Sequence, residues 1–411
     1  MTKVSFVTLG CPKNEVDTDY MMGITFNDNK YKYEDDPKSS DVIVINTCGF
    51  IEDAKEESID TILQAAEYKK DGLIDALIVT GCLTQRYKTE LMDEIEEIDA
   101  VLGTGTFDQI KDTIDDVLNN KRRYNRIDKP VFDFNQELER FNKKHHYSYV
   151  KIAEGCNNNC SYCSIPFIRG PLNSRKIEDI LKEIRILVEN GTKEIILTAQ
   201  DTTEYGKDIY GQRSLVKLLK EIVQIKNLKW IRMLYSYPEH LSQELIKTIS
   251  ENAKICNYLD IPVQHSSNRI REAMRREGTR EELLDVIKQI RKNIPNVALR
   301  TSLIVGFPGE TEEEFNDLVS FIKEVKFDRL GVFQYSQEEG TKAALMKNQI
   351  NKEIKQKRYN KIMEIQQNIS YNKNKEFIDK TVDVIIDEKI DDEFIGRTAY
   401  DAPEIDNTVY V

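Results

Sequence analysis

The sequence predicts an α/β protein in three parts: an N-terminal doubly wound parallel sheet, a central partial β/α barrel and a small all-β module at the end. Two patterns predict this fold class. Short apolar runs rich in β-branched residues, typical of buried parallel strands, alternate with stretches of helical spacing over most of the chain. From Thr381 onward the pattern changes to alternating apolar and polar residues, which is typical of antiparallel strands.

The length and charge of the chain limit the number of domains and the kinds of partner that it can have. With 411 residues it is long enough for two or three domains, each with its own core. The 59 basic residues are outnumbered by 71 acidic ones, and the net charge of -12 disfavours a dedicated polyanion-binding surface and favours a basic partner. No apolar run approaches the length of a membrane span, and the stretch from Val4 to Leu9 is too short for a secretion signal. We therefore expect a cytoplasmic protein with no membrane partner.

In the first part, residues 1–128, three strand-like segments each end at a cysteine. The segments are residues 4–9, 42–47 and 76–81, and the cysteines are Cys11, Cys48 and Cys82. In an open parallel sheet, ligands bind beyond the carboxyl ends of the strands. We therefore expect the three thiols to converge on one crevice, whereas the alternative is that they are buried cysteines without a ligand role.

Residues 129–146 are charged and poorly periodic, which predicts a linker. In residues 147–376, six strand-like segments alternate with helical patterns, which predicts a full or partial β/α barrel. The segments are residues 148–153, 194–198, 229–235, 258–263, 298–305 and 328–335. Residues 377–411 form the small β-module. Its last residues resemble a strand whose partner would follow, so we expect the natural chain to continue beyond Val411.

The strongest motif is the run Cys156–Cys163, with the spacing C-x3-C-x2-C, directly after the first barrel strand. In a reducing compartment, cysteines are better interpreted as metal ligands or reactive thiols than as disulfides. A [4Fe–4S] cluster needs thiolates from a tightly folded loop, and three thiolates leave one iron open for a cofactor. A structural zinc site is the alternative, but it would need a fourth ligand nearby, and His145 and His146 lie on the far side of a strand.

The position of this run at the start of a β/α barrel resembles the radical S-adenosylmethionine (SAM) superfamily. Four segments narrow the resemblance to the methylthiotransferase family, over essentially the whole chain; they are Gly10–Asn14, Asn46–Ile51, Thr80–Cys82 and Glu154–Cys156. The resemblance implies two [4Fe–4S] clusters, SAM as cofactor and a TRAM-like, apparently incomplete, closing module. The implied ligands are Cys156, Cys160 and Cys163 for the cluster that reduces SAM, and Cys11, Cys48 and Cys82 for an auxiliary cluster.

The resemblance also implies a reaction and a SAM site. Reductive cleavage of SAM would give a radical that removes hydrogen from an unactivated carbon, and a methylthio group would then be transferred to that carbon. The implied SAM-binding residues are Tyr162 in the cysteine loop, Gln200 and Asp201 after a barrel strand, and Gln264, Arg300 and Phe333. The turn Gly306–Glu310 resembles the family's turn near adenine, although turn geometry alone would also explain its glycines.

Three further residues have alternative interpretations. Arg169 resembles an arginine that follows the family's cluster loop and could orient SAM, whereas a surface charge is the alternative. His265 is either a hydrogen-bonded core residue or a direct participant in the reaction. Cys256 lies outside both cysteine sets and is interpreted as a packing residue.

Two segments indicate the substrate. Pro12–Asn14 resembles the ribosomal-protein branch of the family, whereas the tRNA branch typically has Gln-Met-Asn there, and Asp401–Asp406 also resembles the protein branch. This implies methylthiolation of the β-carbon of an aspartate in the twelfth small-subunit ribosomal protein; methylthiolation of tRNA adenosine is the alternative. The implied electron donor is a flavodoxin or ferredoxin.

Charge agrees with a basic ribosomal protein as substrate. From Thr381 onward nine acidic residues oppose Lys389 and Arg397, for a net charge of -7. Such a module would attract a basic protein and repel phosphate, so tRNA is not the expected partner. A merely solvated acidic edge is the alternative. Two other classes share some of these features. An iron–sulfur electron-transfer protein would also use cysteine clusters but would not need a barrel around an open iron, and a nucleic-acid-binding module is suggested by the likeness of the closing module to RNA-binding barrels.

Overall fold

The computed structural model describes residues 1–120, 123–130, 132, 140–141 and 146–411. These residues fall into two compact units. The first comprises Met1–His145, Ala153–Asn157 and Ser164–Arg175, and the second His146–Ile152, Asn158–Cys163 and Lys176–Val411. Much of the predicted linker at 129–146, including His145, lies outside the described residues.

The strands and helices are given in chain order. The strands are β1 Thr2–Thr8, β2 Tyr31–Tyr33, β3 Val42–Thr47, β4 Ala76–Gly81, β5 Ala100–Leu102, β6 Tyr124–Arg126, β7 Tyr147–Lys151, β8 Ala153–Glu154, β9 Asn173–Ser174, β10 Glu194–Thr198, β11 Trp230–Met233, β12 Tyr258–Asp260, β13 Ala298–Val305, β14 Arg329–Gln334, β15 Val384–Ile390, β16 Glu393–Thr398 and β17 Val409–Tyr410. The helices are α1 Pro12–Phe26, α2 Glu52–Lys70, α3 Cys82–Tyr87, α4 Glu90–Glu94, α5 Ile110–Asn120, α6 Ile165–Arg169, α7 Ile177–Glu189, α8 Lys207–Tyr210, α9 Leu215–Ile222, α10 Gln243–Glu251, α11 Asn268–Ala273, α12 Arg280–Asn293, α13 Glu312–Val325 and α14 Lys352–Lys375.

The first unit contains a parallel sheet of order β2-β1-β3-β4-β5-β6. The chain runs outward in both directions from β1 and β3, which is the doubly wound arrangement predicted from the sequence. The point where the direction reverses is where such sheets bind ligands, beyond the carboxyl ends of the strands. Cys11 follows β1 and Cys48 follows β3, so both lie at this reversal point.

Both faces of this sheet are covered, which explains the unbroken apolar runs of its central strands. Ile43 and Ile45 of β3 belong to a core with α2, whereas Val42 and Val44 belong to a separate core with α1 and α5. Alternate residues of a strand point to opposite faces, so only a strand with apolar residues at every position fills both cores. Each fully buried valine or isoleucine contributes roughly 1.5–3 kcal/mol to stability.

The second unit contains the six predicted barrel strands, all paired in parallel. They form two three-stranded ladders, β11-β10-β7 and β12-β13-β14. Single bridges, Ile231 to Ile255 and Gln264 to Leu303, extend the pairing beyond the ladders. The predicted partial β/α barrel is therefore confirmed.

Capping residues fix the start of two of the barrel helices, α12 and α13. The Thr279 hydroxyl accepts a hydrogen bond from the backbone N–H of Glu282 at the start of α12, and the Glu282 carboxylate accepts one from the backbone N–H of Thr279. Thr311 and Glu314 make the same reciprocal pair at the start of α13. Such capping boxes satisfy backbone N–H groups that have no partner within the helix.

The closing module packs against the amino-terminal ends of the barrel strands. It is an antiparallel sheet of order β15-β16-β17, in agreement with the predicted small all-β module. Tyr258, the first residue of β12, donates a hydrogen bond to Asp406 at 2.7 Å, and Arg329, the first residue of β14, donates one to Asp401 at 3.0 Å. The module therefore covers the end of the barrel opposite to the carboxyl ends of its strands.

No helix among the described residues is both long enough and apolar enough to cross a membrane.

Candidate functional site

Cys11, Cys48 and Cys82 follow β1, β3 and β4 and lie together at one edge of the first unit's sheet. A Cβ atom on Gly10 would lie 2.7 Å from the Cβ of Cys48, so no side chain fits between these two loops. Burial raises the pKa of the Cys48 thiol to about 12, and the neighbouring Cys82 and Cys11 act in the same direction. Burial also raises the pKa of Cys82. The thiols of Cys48 and Cys82, whose pKa values are raised, need a nearby cation to become thiolates, which fits a metal centre.

Asn14 holds these strand ends in place. Its side-chain amide donates hydrogen bonds to the carbonyls of Leu9 at 2.8 Å and Thr47 at 3.0 Å, which precede the Cys11 and Cys48 loops. Asn46 in turn donates a hydrogen bond to the Asn14 carbonyl at 2.8 Å. The Asn14 of the sequence motif therefore joins the two loops that carry cysteines.

Arg169 is the residue at this site that the sequence did not place here. Its guanidinium is 1% exposed and lies 3.4 Å from the Cys82 sulfur. It also donates hydrogen bonds to Asp17 at 2.9 Å and Glu154 at 3.1 Å, and to Asn14. The family resemblance suggests an arginine that orients SAM, whereas the structure places this cation against Cys82, where it favours the thiolate form. In the sequence, only the position of Arg169 after the cysteine loop indicates a functional role. Its contact with Cys82 has no local signal, because 87 residues separate the two.

Backbone hydrogen bonds fix the conformation of the cysteine loop, Cys156–Cys163. In the first unit, Cys156 donates a backbone hydrogen bond to Gly170 at 3.0 Å. In the second unit, Cys163 donates one to Cys160 at 3.2 Å, which closes a tight turn, and Ser161 donates one to Met274 at 2.9 Å. No disulfide joins any two of the seven cysteines, all of which lie in the described residues.

The described residues contain no group of three His, Cys, Asp or Glu side chains close enough to hold a single metal ion. A [4Fe–4S] cluster makes a different demand, because each thiolate binds a separate iron and the sulfurs lie further apart than the ligands of one ion. The fit to such a cluster therefore depends on the cysteines' shared sheet edge, their partial or complete burial and the neighbouring cation, and not on a compact ligand shell.

Cys160 has an aromatic neighbour. The hydroxyl of Tyr237 lies 3.3 Å from its sulfur. The guanidinium of Arg276 lies 3.5 Å from the centroid of the Tyr237 ring, and the His240 ring stacks at 5.0 Å. Burial raises the pKa of Tyr237, so its hydroxyl is protonated at neutral pH.

Tyr162 lies on an apolar cluster in the second unit. The cluster consists of Ile270, Met274, Phe307, Tyr335 and Ala343. Phe307 belongs to the turn Gly306–Glu310, so the structure brings this turn and the cysteine loop together. Burial raises the pKa of Tyr162, so its ring is neutral.

Asp201 connects the cysteine loop to the turn after β10. It accepts hydrogen bonds from the side chain of Asn158 at 2.9 Å and the backbone of Thr203 at 3.0 Å. Burial raises the pKa of Asp201, but hydrogen bonds from His240, Thr203 and Asn158 outweigh it and hold the pKa below its usual value. Gln200, its neighbour, is half-buried.

Gln264 and Tyr235 adopt left-handed backbone conformations just beyond β12 and β11, with φ of 69° and 57°. Such conformations cost a non-glycine residue about 1–3 kcal/mol and concentrate at functional sites. Phe333 on β14 is 47% exposed. Arg300, the third residue of β13, pairs with Asp260 at 3.1 Å and with Asp406 of the closing module at 3.6 Å, so it lies towards the amino end of its strand.

His265 and Cys256 are both buried. The Nδ1 atom of His265 accepts a hydrogen bond from the Ser267 backbone at 3.0 Å, and its Nε2 lies 3.5 Å from Glu310. Glu310 in turn pairs with Arg358 at 3.1 Å. These contacts favour the interpretation of His265 as a core residue that fixes the Gly306–Glu310 turn. Burial raises the pKa of Cys256 to about 12, which agrees with a packing role.

Comparison with known proteins identifies three family models along the chain. Residues 3–103 match the Uncharacterized protein family UPF0004, residues 150–322 the Radical SAM superfamily and residues 378–411 the TRAM domain. Two solved structures share the fold at low identity. A radical SAM methyltransferase, TsrM from Kitasatospora setae, aligns with TM-score 0.58 and 13% identity over 81% of this chain and 73% of its own. A cobalamin-dependent SAM radical enzyme, OxsB, aligns with TM-score 0.59 and 12% identity over 87% and 56%.

Relatives with full-length similarity are named ribosomal protein uS12 methylthiotransferase RimO. The protein of Clostridioides difficile is 51% identical over 413 residues, which cover 100% of this chain and 93% of the relative. That of Desulforamulus reducens is 48% identical over the same shares. Radical SAM enzymes use SAM and a [4Fe–4S] cluster, and methylthiotransferases carry a second cluster. With three family models matched in order and this identity over its full length, the chain belongs to the radical SAM methylthiotransferase family, in the RimO branch.

Proposed function

We propose that the chain adds a methylthio group to the β-carbon of an aspartate in ribosomal protein uS12. The observation that carries the proposal is the full-length similarity to uS12 methylthiotransferases, together with a second set of strand-end cysteines in addition to those of the radical SAM motif. Cleavage of SAM needs only the cluster of the loop cysteines, so the second set is available for the sulfur transfer. The protein would act in the cytoplasm, where ribosomal proteins are made.

We assign the two cysteine sets to two clusters. Cys156, Cys160 and Cys163 would hold the cluster that, when bound, supplies the electron that cleaves SAM. Cys11, Cys48 and Cys82 would hold the auxiliary cluster, and the buried guanidinium 3.4 Å from Cys82 would balance part of its negative charge. A flavodoxin or ferredoxin, as a one-electron donor of low potential, would reduce the protein.

The proposed SAM site lies around the cysteine loop. Tyr162, Gln200, Gln264 and Phe333 would line it, since they lie on that loop or towards the carboxyl ends of barrel strands. Asp201 already accepts a hydrogen bond from Asn158, so it would act by fixing the loop.

Arg300 would act through Asp260. The carboxylate of Asp260 accepts hydrogen bonds from Arg300 at 3.1 Å and from the backbone of Tyr235 at 3.0 Å. Arg300 would therefore hold the left-handed turn at the end of β11. These groups would orient SAM and exclude water near the reacting carbon.

The exposed hairpin of β15 and β16 is the proposed docking surface for uS12. Not all nine acidic residues of the module are available, because Asp387, Asp401 and Asp406 pair internally with Arg397, Arg329 and Arg300. The exposed acidic residues are Asp383, Glu388, Asp391, Asp392, Glu393 and Glu404. A surface of this sign favours a basic protein over a phosphate backbone.

Mass spectrometry of cells lacking the gene tests the proposal. Ribosomal proteins and tRNA nucleosides would be analysed with and without the restored gene, and with a Cys160→Ala version as control. We expect a methylthio group to return to one aspartate of uS12 with the intact gene only. Its return on a tRNA adenosine would overturn the substrate, and no change in either would overturn the function.

A further inference from the structure

Tyr237 reaches the cysteine loop with a hydroxyl group 3.3 Å from the Cys160 sulfur. We propose that Tyr237 is a positioning residue that donates a hydrogen bond to the Cys160 thiolate and thereby raises the reduction potential of the radical SAM cluster. The proposal rests on the proposed function, because it takes Cys160 as a ligand of that cluster.

The ring of Tyr237 is held on several sides. It is 8% exposed, the Arg276 guanidinium lies 3.5 Å from its centroid and the His240 ring stacks at 5.0 Å with an interplanar angle of 22°. Arg276 is itself fixed by a hydrogen bond to the Pro262 carbonyl at 2.8 Å. A ring confined in this way has few orientations, so the hydroxyl stays directed at Cys160.

The chemistry decides the direction of the effect. A thiolate bound to iron carries no proton, so the tyrosine hydroxyl is the donor. Reduction adds one electron to the cluster, from a one-electron donor of low potential, and makes its sulfurs more negative. A hydrogen bond to a charged acceptor is stronger, so it stabilises the reduced state more than the oxidised state. No bond at Tyr237 breaks and its proton stays on oxygen. The positive charge of Arg276 acts in the same direction.

Potentiometric titration followed by EPR tests the proposal without any activity assay. The full chain carrying Cys11→Ala, Cys48→Ala and Cys82→Ala would hold a cluster only at the loop cysteines. Adding Tyr237→Phe removes one oxygen and leaves the ring in place. We expect the reduction equilibrium to become roughly tenfold less favourable, which for one electron corresponds to a midpoint potential about 59 mV lower.

Tyr147→Phe in the same background is the matched control, because the Tyr147 hydroxyl donates a hydrogen bond to exposed Glu404 at 3.2 Å. We expect its potential to equal that of the parent. An unchanged potential in Tyr237→Phe, or an equal decrease in both variants, would overturn the inference. Pulsed EPR after exchange into D2O gives a second measurement, since a deuteron coupled to the reduced cluster should disappear in Tyr237→Phe only. If Cys160→Ala retains the cluster, the ligand assignment of the proposed function fails instead.

Discussion

The guanidinium of Arg169 lies 3.4 Å from the sulfur of Cys82, although 87 residues separate the two in the chain. Arg169 is the last residue of α6, which begins two residues after Cys163. The first compact unit accordingly includes residues 164–175, which the sequence would assign to the central part. The segment that follows the radical SAM loop therefore places a buried cation against Cys82.

Replacing Arg169 with Met should lower the free energy of unfolding by about 3–5 kcal/mol. The change removes a buried cation and leaves the negative charges of its two carboxylate partners uncompensated. Those partners are Asp17 and Glu154, which are 6% and 0% exposed. Arg169→Lys should retain part of the stability, since lysine supplies the charge without the two-pronged geometry. Urea unfolding measures the loss. The matched control is Arg185→Met at an exposed position of α7, for which a loss of about 0.5 kcal/mol or less is expected; equal losses would contradict the account.

Gly10→Ala should prevent binding of the auxiliary cluster while sparing the loop cluster. Gly10 has φ of 93°, and a Cβ there would lie 2.7 Å from the Cβ of Cys48 and 3.0 Å from its sulfur. The matched control is Gly72→Ala, because Gly72 has φ of 71° but no atom within 4 Å of the added Cβ. Both changes carry a similar backbone penalty, about 1–2 kcal/mol, so only the contact with Cys48 differs. Iron and sulfide content per chain is the measurement, and equal contents in the two variants would refute the prediction.

Glu314→Gln should destabilise the protein at neutral pH and less so in acid. Burial raises the pKa of Glu314, but hydrogen bonds from Arg269 and Thr311 outweigh it and lower the pKa from 4.5 to about 2. A carboxylate with a depressed pKa stabilises the folded state above its unfolded pKa and loses that contribution as pH falls through the folded value. The difference in unfolding free energy between the parent and the variant should therefore shrink from pH 4.5 towards about 2. Glu313→Gln, in the same turn but exposed, is the control; a constant difference for Glu314→Gln would be the contrary result.

Neutralising the tip of the β15–β16 hairpin should weaken uS12 binding. The changes are Asp391→Asn, Asp392→Asn and Glu393→Gln, all at exposed positions. We expect lower affinity and a shallower dependence of affinity on salt, because fewer charges attract the basic partner. The matched control removes the same charge from exposed positions of α2, with Glu56→Gln, Glu57→Gln and Asp60→Asn. Calorimetry at several salt concentrations measures the affinity of each variant for uS12. Equal affinities in the two variants would mean that the hairpin acids are merely solvated and would exclude the docking surface.

The sequence predicted the long elements and missed the short ones. β3 and β4 carry continuous apolar runs rich in β-branched residues, the six barrel strands carry apolar segments separated by helical patterns, and the structure contains all of them. The strands β2, β5 and β6 have three residues each, too few to show a period.

Contacts between residues far apart in the chain could not be predicted from the sequence either. Counting charges treated Asp401 and Asp406 as surface acids, but they are buried partners of barrel arginines. Neither the approach of Arg169 to Cys82 nor that of Tyr237 to Cys160 has a local signal, because each depends on how separate segments pack.

Reconstituted protein, incubated with SAM, a one-electron reductant of low potential and small ribosomal subunits, tests the central claim most directly. Mass spectrometry of the digested ribosomal proteins is the readout. We expect the mass of one aspartate-containing peptide of uS12 to increase by one methylthio group, and no increase with Cys11→Ala or Cys160→Ala protein. Cleavage of SAM without any modification of uS12, or modification that persists in Cys11→Ala protein, would contradict the claim that two cysteine sets serve one transfer to this substrate.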